Sequence, residues 1–149
     1  MSDDLHARAM RFVAEVLGQH SETAFRELVH PQVVVHSGLS PLAPIRGADA
    51  YWARLGQLAA FQFEDFDLRD LFTAGDRAVA QFRSHARHVG DHLGLPATGQ
   101  RILMWEIHLM RWQDGQLVEN VVADVNYDWP WLLQPAYPGA LGKTGALDD

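Results

Sequence analysis

The segments RILMWEIHLMRW (Arg101–Trp112) and QLVENVVADVNY (Gln116–Tyr127), joined through Gln113-Asp114-Gly115, decide the fold. Both alternate in polarity over their length, the period-2 pattern of a half-buried strand, and Asp-Gly between such runs is a hairpin signal. A three-residue loop with Gly115 in the left-handed position sets Trp112 opposite Gln116, His108 opposite Asn120, Glu106 opposite Val122 and Met104 opposite Asp124. In that register one face carries Met104, Glu106, His108, Met110, Val118, Asn120, Val122, Asp124 and Asn126. The other carries Leu103, Trp105, Ile107, Leu109, Val121, Ala123 and Val125. A two-residue loop would put His108 and Asn120 on opposite faces, so everything built on this face is conditional on register. Four polar groups on one strand face fit a solvated surface, while Met104, Met110, Val118 and Val122 among them fit the wall of a small-molecule pocket; the residues alone leave both readings open.

Working outward, Arg77–His88 reads as a strand turned back by Ala74-Gly75-Asp76 onto another at Phe63–Phe72, with a Gly/Pro loop at Gly90–Gly99. The first third is helical. Leu5, Met10, Phe12, Val13, Val16 and Leu17 recur at helical spacing with a cap at Ser2 or Asp3 and Gly18 as the stop. Glu22–Val29 forms a second helix ended by Pro31, and Gln32–Ser37 a short β-branched strand. A loop over Gly38–Gly47 leads to a third helix marked by Tyr51, Trp52, Leu55, Leu58 and Ala59. Helices first and an antiparallel meander after them is the α+β pattern.

The chain has 149 residues, enough for one core, so a single domain over 1–149 is expected, with 136–149 a loose tail. A net charge of −7 argues against binding nucleic-acid phosphates or an anionic membrane. The absence of cysteine removes disulfides, thiolate metal sites and a cysteine nucleophile. The acidic start, MSDDLHARAM, has no signal-like apolar stretch, and the expectation is a cytoplasmic protein. Eight His and five Trp stand out, and both line pockets for flat organic ligands. His85, His88 and His92 lack ligand spacing on one face, so no metal is expected.

Arg87-His88-Val89-Gly90, then Leu93-Gly94-Leu95-Pro96-Ala97-Thr98-Gly99, and His108-Leu109-Met110-Arg111 before Asp114-Gly115 resemble the SnoaL-like polyketide cyclase family. His30-Pro31 and Arg46-Gly47 fall where that family places similar pieces, and the resemblance runs from Leu5 to Gln134. It implies the cone of nuclear transport factor 2, N-terminal helices packed on a curved antiparallel sheet enclosing a cavity. It also implies intramolecular aldol ring closure on a polycyclic or β-keto substrate, without metal or cofactor. A carboxylate on the last strand serves as acid/base, with His108, Glu106 and Asn120 at pocket positions. Here the family's aspartate falls on Val122. Asp124, one pleat along, is the nearest substitute, with Glu106 the second choice, and Asp128 opens a displaced Asp128-Trp129-Pro130.

The expected catalytic set is therefore Asp124, His108 and Glu106, with Asn120, His36, Trp52, Met104, Met110, Val122 and Asp128 around the ligand. Another cofactor-free reaction of the fold (dehydration, isomerisation or epoxide hydrolysis) and plain binding of a small apolar or aromatic ligand stand as alternatives. The apolar outer hairpin face predicts a homodimer, a tetramer being compatible.

Overall fold

A computed structural model describes residues 2–38, 40, 42–92, 94 and 96–124, with side chains from residue 4 to residue 123. The proposed tail, Asp128 and the side chain of Asp124 lie outside the described residues.

Helix α1 (Ser2–Arg11) continues as a wider π-helical segment, Phe12–Gly18, that buries Phe12, Val13 and Val16. Gly18 is not the stop. The left-handed residue is His20, at φ 53°, whose N–H closes on the Val16 carbonyl while that of Ser21 closes on Glu15. Helix α2 (Glu22–Leu28) is capped by the Ser21 hydroxyl, which accepts from Ala24 N–H at 3.3 Å. It runs directly into strand β1 (Val29–His36), so Pro31 lies inside the strand rather than after the helix. It is tolerated there because the pairing of β1 with its neighbour breaks between Val29 and Val34. The pair β2 (Ile45–Arg46) precedes α3 (Ala48–Gly56) and a 3₁₀ turn at Gln57–Ala60.

The remaining strands are β3 (Phe61–Phe63), β4 (Asp67–Ala74), β5 (Arg77–His88), β6 (Arg101–Gln113) and β7 (Gln116–Asp124). The single strand expected over 63–72 is thus two, both antiparallel to the same edge of β5: β3 against Ala86–His88 and β4 against Arg77–Arg83. Glu64-Asp65-Phe66 separates them, and Asp65 caps the gap by accepting the His85 N–H and lying 2.7 Å from its Nδ1. Sheet order is β2-β1-β7-β6-β5-β3. The sheet is mixed, not a pure meander, because β1 runs parallel to β7.

The hairpin register combines two devices. The turn is two residues, Asp114-Gly115, both at positive φ, and Gln113 pairs with Gln116. A bulge then intervenes between Arg111 and Trp112, so that Met110 pairs with Asn120 and His108 with Val122. Turn and bulge together restore the parity that a two-residue loop alone would break. Glu106, His108, Met110, Asn120 and Val122 share a face; the register is offset by two from the expected one. Leu117, fully buried opposite Trp112, takes the inward place expected for Val118.

That inward face packs under the helices. Alternate residues of β5, Ala78, Ala80 and Phe82, are buried, and the two alanines leave room for the N-terminal helix to approach. Phe12 meets Trp112 edge-on, with ring centroids 6.3 Å apart. Burying such a side chain stabilises by about 2–3 kcal/mol. A second cluster, Ala60, Phe61, Ala86, Ile102 and Met104, lies towards the β3 end. Between the clusters is the cavity.

Candidate active site

The cavity measures about 290 Å³ and is walled by the end of the π-helical segment (Val16, Leu17, Gly18), by Leu55, Leu58 and Ala59, and by the sheet. Four phenylalanines line it: Phe61, Phe63, Phe66 and Phe82. Among the described residues, His20, Ser84 and Glu106 bring polar side chains to it. Its volume suits a small flat ligand. Among the described residues no lysine or arginine lines it, and Glu106 is the one carboxylate that does.

Period-2 alternation on β6 puts Met104 and Glu106 on the cavity wall and carries His108 and Met110 on the same face into the core. Glu106 keeps 22% of its side-chain surface accessible, whereas His108 keeps 3%. Behind the carboxylate runs a buried polar chain. His108 Nε2 lies 3.1 Å from Glu106 Oε2, and its Nδ1 lies 2.9 Å from Asn120 Nδ2. Asn120 Nδ2 also donates to the Tyr51 hydroxyl at 3.3 Å. With the Asn120 amide nitrogen donating to His108 Nδ1, the ring proton sits on Nε2, aimed at Glu106, and the amide oxygen Oδ1 is buried without a hydrogen-bond partner among the described residues. Burial, with a smaller push from the charge of Glu106, raises the Tyr51 hydroxyl above the ordinary tyrosine range; it stays a phenol. Phe82 covers the imidazole at 5.2 Å.

The other expected residues are dispersed. Val122 is half-buried opposite His108 and packs against the main core. Met110 is fully buried in that core, away from the cavity. Trp52 does not line the cavity but backs His20, which does: its ring stacks on His20 at 4.3 Å and leans on Phe25 at 4.9 Å. His36, last residue of β1, is exposed and does not line the cavity. Asp124 is the backbone partner of Glu106.

The three C-terminal histidines of β5 and its loop do not converge. His85 points outward to Asp65, while His88 and His92 are buried against Phe61, at 5.2 and 4.9 Å. No group of three or more side chains suited to hold a metal occurs among the described residues. Nor is any of their helices long and apolar enough to cross a membrane.

Sequence reasoning missed His20, Ser84 and Tyr51. Ser84 had a signal, since it sits in the Ala78-Ala80-Phe82-Ser84-Ala86 row of β5. Tyr51 was legible as an inward helix residue but not as the end of a polar chain, because its partner Asn120 is 69 residues away. His20 had none.

Comparison with known proteins agrees with this architecture. Aklanonic acid methyl ester cyclase DnrD of Streptomyces peucetius is 29% identical over 109 residues, spanning 72% of this chain and 71% of that one. The cyclase DauD of Streptomyces sp. (strain C5), of the same description, is 30% identical over 109 residues, 68% of this chain and 64% of its own length. The crystal structure of a SnoaL-like protein from Jannaschia sp. CCS1 superposes with a TM-score of 0.74 at 19% identity, covering 92% of this chain and 94% of that one, which shows the fold. The family model described as SnoaL-like polyketide cyclase matches residues 7–124. With helices closing one face of an open mixed sheet and a cavity between them, this chain belongs to the SnoaL-like polyketide cyclase family.

Proposed function

We propose that the chain is a cofactor-independent acid/base enzyme that closes a ring by intramolecular aldol addition on a small polycyclic or β-keto substrate, and that Glu106 moves the proton. The observation that carries this is the Glu106 carboxylate, the one carboxylate among the described residues of a phenylalanine-lined cavity, backed by the His108–Asn120–Tyr51 chain. Glu106 takes a proton from carbon beside a carbonyl. The enolate carbon attacks a second carbonyl within the same molecule, forming the C–C bond. The resulting alkoxide recovers the proton from Glu106, so substrate and product are isomers and the enzyme is unchanged. His108 N–H holds the carboxylate oxygen throughout and orients the other towards the ligand. The acid/base group thereby moves from the last strand, where Val122 stands, to its neighbour β6.

Val122 also favours a second reading, a binding protein for a small apolar or aromatic ligand. A homodimer formed through the outer sheet face accompanies either reading.

The test uses aklanonic acid methyl ester, the compound named for the relatives, and follows ring closure by chromatography. Glu106→Gln is expected to cut turnover by at least about 10²-fold while the compound still binds; Asp124→Asn is expected to stay within about threefold. The reverse ranking would return the role to Asp124. Binding without turnover by the unmodified chain would leave the binding-protein reading.

A further inference from the structure

The polar side chains of the cavity are unevenly distributed. Among the described residues, Glu106 and Ser84 come from the sheet and His20 from the helical layer. His20 occupies the left-handed position after the π-helical segment, where glycine or asparagine usually sits. Its ring is held flat on Trp52, 4.3 Å between centroids and 13° between planes, and no hydrogen bond to its imidazole occurs among the described residues. A positioned ring with its nitrogens uncommitted, at the wall of an apolar cavity, is available to a ligand.

Electrostatics says which part of the ligand. As a proton leaves carbon beside a carbonyl, negative charge grows on the oxygen, and that oxygen cannot rest beside the carboxylate that takes the proton. It needs a donor on another wall. Ser84 lies on the same sheet as Glu106, one strand over and on the adjoining cross-strand pair: Ser84 pairs with Met104, Phe82 with Glu106. His20 is the donor on the other layer. Resting on the Glu106 reading, we propose that His20 is the oxygen-recognising residue of the cavity: its imidazole donates to the carbonyl or enolate oxygen of an aromatic ketone, and selects ligands that carry such an oxygen. The Trp52 face fixes the plane of the donor, and the helix end fixes its reach.

The test needs no turnover. 2-Naphthol and naphthalene share a shape and differ by one oxygen, and naphthol is an enol analogue. Affinity for each is measured by fluorescence titration on the unmodified chain, on His20→Phe, which keeps a ring for Trp52 but loses the N–H, and on Ser84→Ala. His20→Phe is expected to weaken 2-naphthol about tenfold and naphthalene less than twofold, with Ser84→Ala leaving both within twofold. An equal loss for both compounds would make His20 only a wall. A loss confined to Ser84→Ala would move the oxygen to the sheet. Failure of the unmodified chain to prefer naphthol over naphthalene would also overturn the proposal. Because Phe at a left-handed position can disturb the fold, ¹⁵N-imidazole spectra of the unmodified chain give a second measure. The His20 ring nitrogens are expected to shift with 2-naphthol and not with naphthalene; identical spectra would overturn it. If Glu106→Gln kept full turnover while these shifts appeared, the cyclase reading would fall and His20 would stand as an oxygen-recognising residue of a binding cavity.

Discussion

At the scale of single residues, Asn120 does more for the fold than its place within β7 suggests. Fully buried, it spends its amide nitrogen on both His108 Nδ1 and the Tyr51 hydroxyl, joining α3 to β6 and β7. Each partner is itself buried, so removing the amide strands two polar groups away from water. Asn120→Ala is expected to lower unfolding free energy by about 1–3 kcal/mol in urea titrations. A loss below about 0.5 kcal/mol would mean that the chain behind Glu106 is not held by this residue. His108 and Asn120 were legible in the sequence as one polar cluster on one hairpin face, because alternation along two adjacent strands is local information. His20 was not. Its place depends on where a helix end meets a sheet edge, Phe61–Phe63, about forty residues away, and nothing in the Gly18-Gln19-His20-Ser21 stretch encodes that meeting.

At the scale of elements, the long strands β5, β6 and β7 could be read almost to the residue, since each alternates and is bounded by Gly or Asp-Gly. The β3/β4 break and the parallel β1–β7 pairing could not, because both rest on contacts distant in sequence. The connection from β5 to β6 is held by buried histidines. His88 Nδ1 accepts from Thr98 N–H at 3.2 Å and lies 2.9 Å from Thr98 Oγ1, while its Nε2 is buried without a hydrogen-bond partner among the described residues. His92, packed on the other side of Phe61, has its pKa lowered, chiefly by burial and then by the nearby His88. A histidine that folds with a lowered pKa binds fewer protons folded than unfolded across the interval between the two values. Stability is therefore complete above the usual histidine range and falls as pH drops through it. Protection factors for amides in segment 89–100 are expected to fall between pH 7.5 and 5.5, with the fall reduced in His92→Gln. A pH-independent protection factor in the unmodified chain would show that this loop does not depend on a neutral His92.

At the scale of the molecule, the sheet has two faces and the helices cover one. On the outer face, β6 and β7 set Leu109 beside Val121 and Ile107 beside Ala123, with Leu109 and Val121 still 41% and 38% exposed. Flanking ion pairs, Arg111 with Glu119 and Arg83 with Asp67, place both charge signs around this apolar strip. Two copies related by a twofold axis can stack such faces about 10 Å apart, each strip covering the other and each rim meeting charges of the opposite sign. That symmetry asks for self-complementarity, which an apolar strip with mixed charges at its border provides. Light scattering at micromolar concentration is therefore expected to return twice the 16.7 kDa of the chain. Leu109→Glu with Val121→Glu puts four carboxylates into the twofold contact and is expected to give a folded monomer, since neither side chain touches the inner core. A monomeric unmodified chain, or a charged variant that remains dimeric, would assign the outer face another role. The cavity lies on the opposite side of the sheet, so the monomeric variant should bind 2-naphthol within about twofold of the dimer. That result would make the dimer contact and the ligand site two independent faces of one sheet.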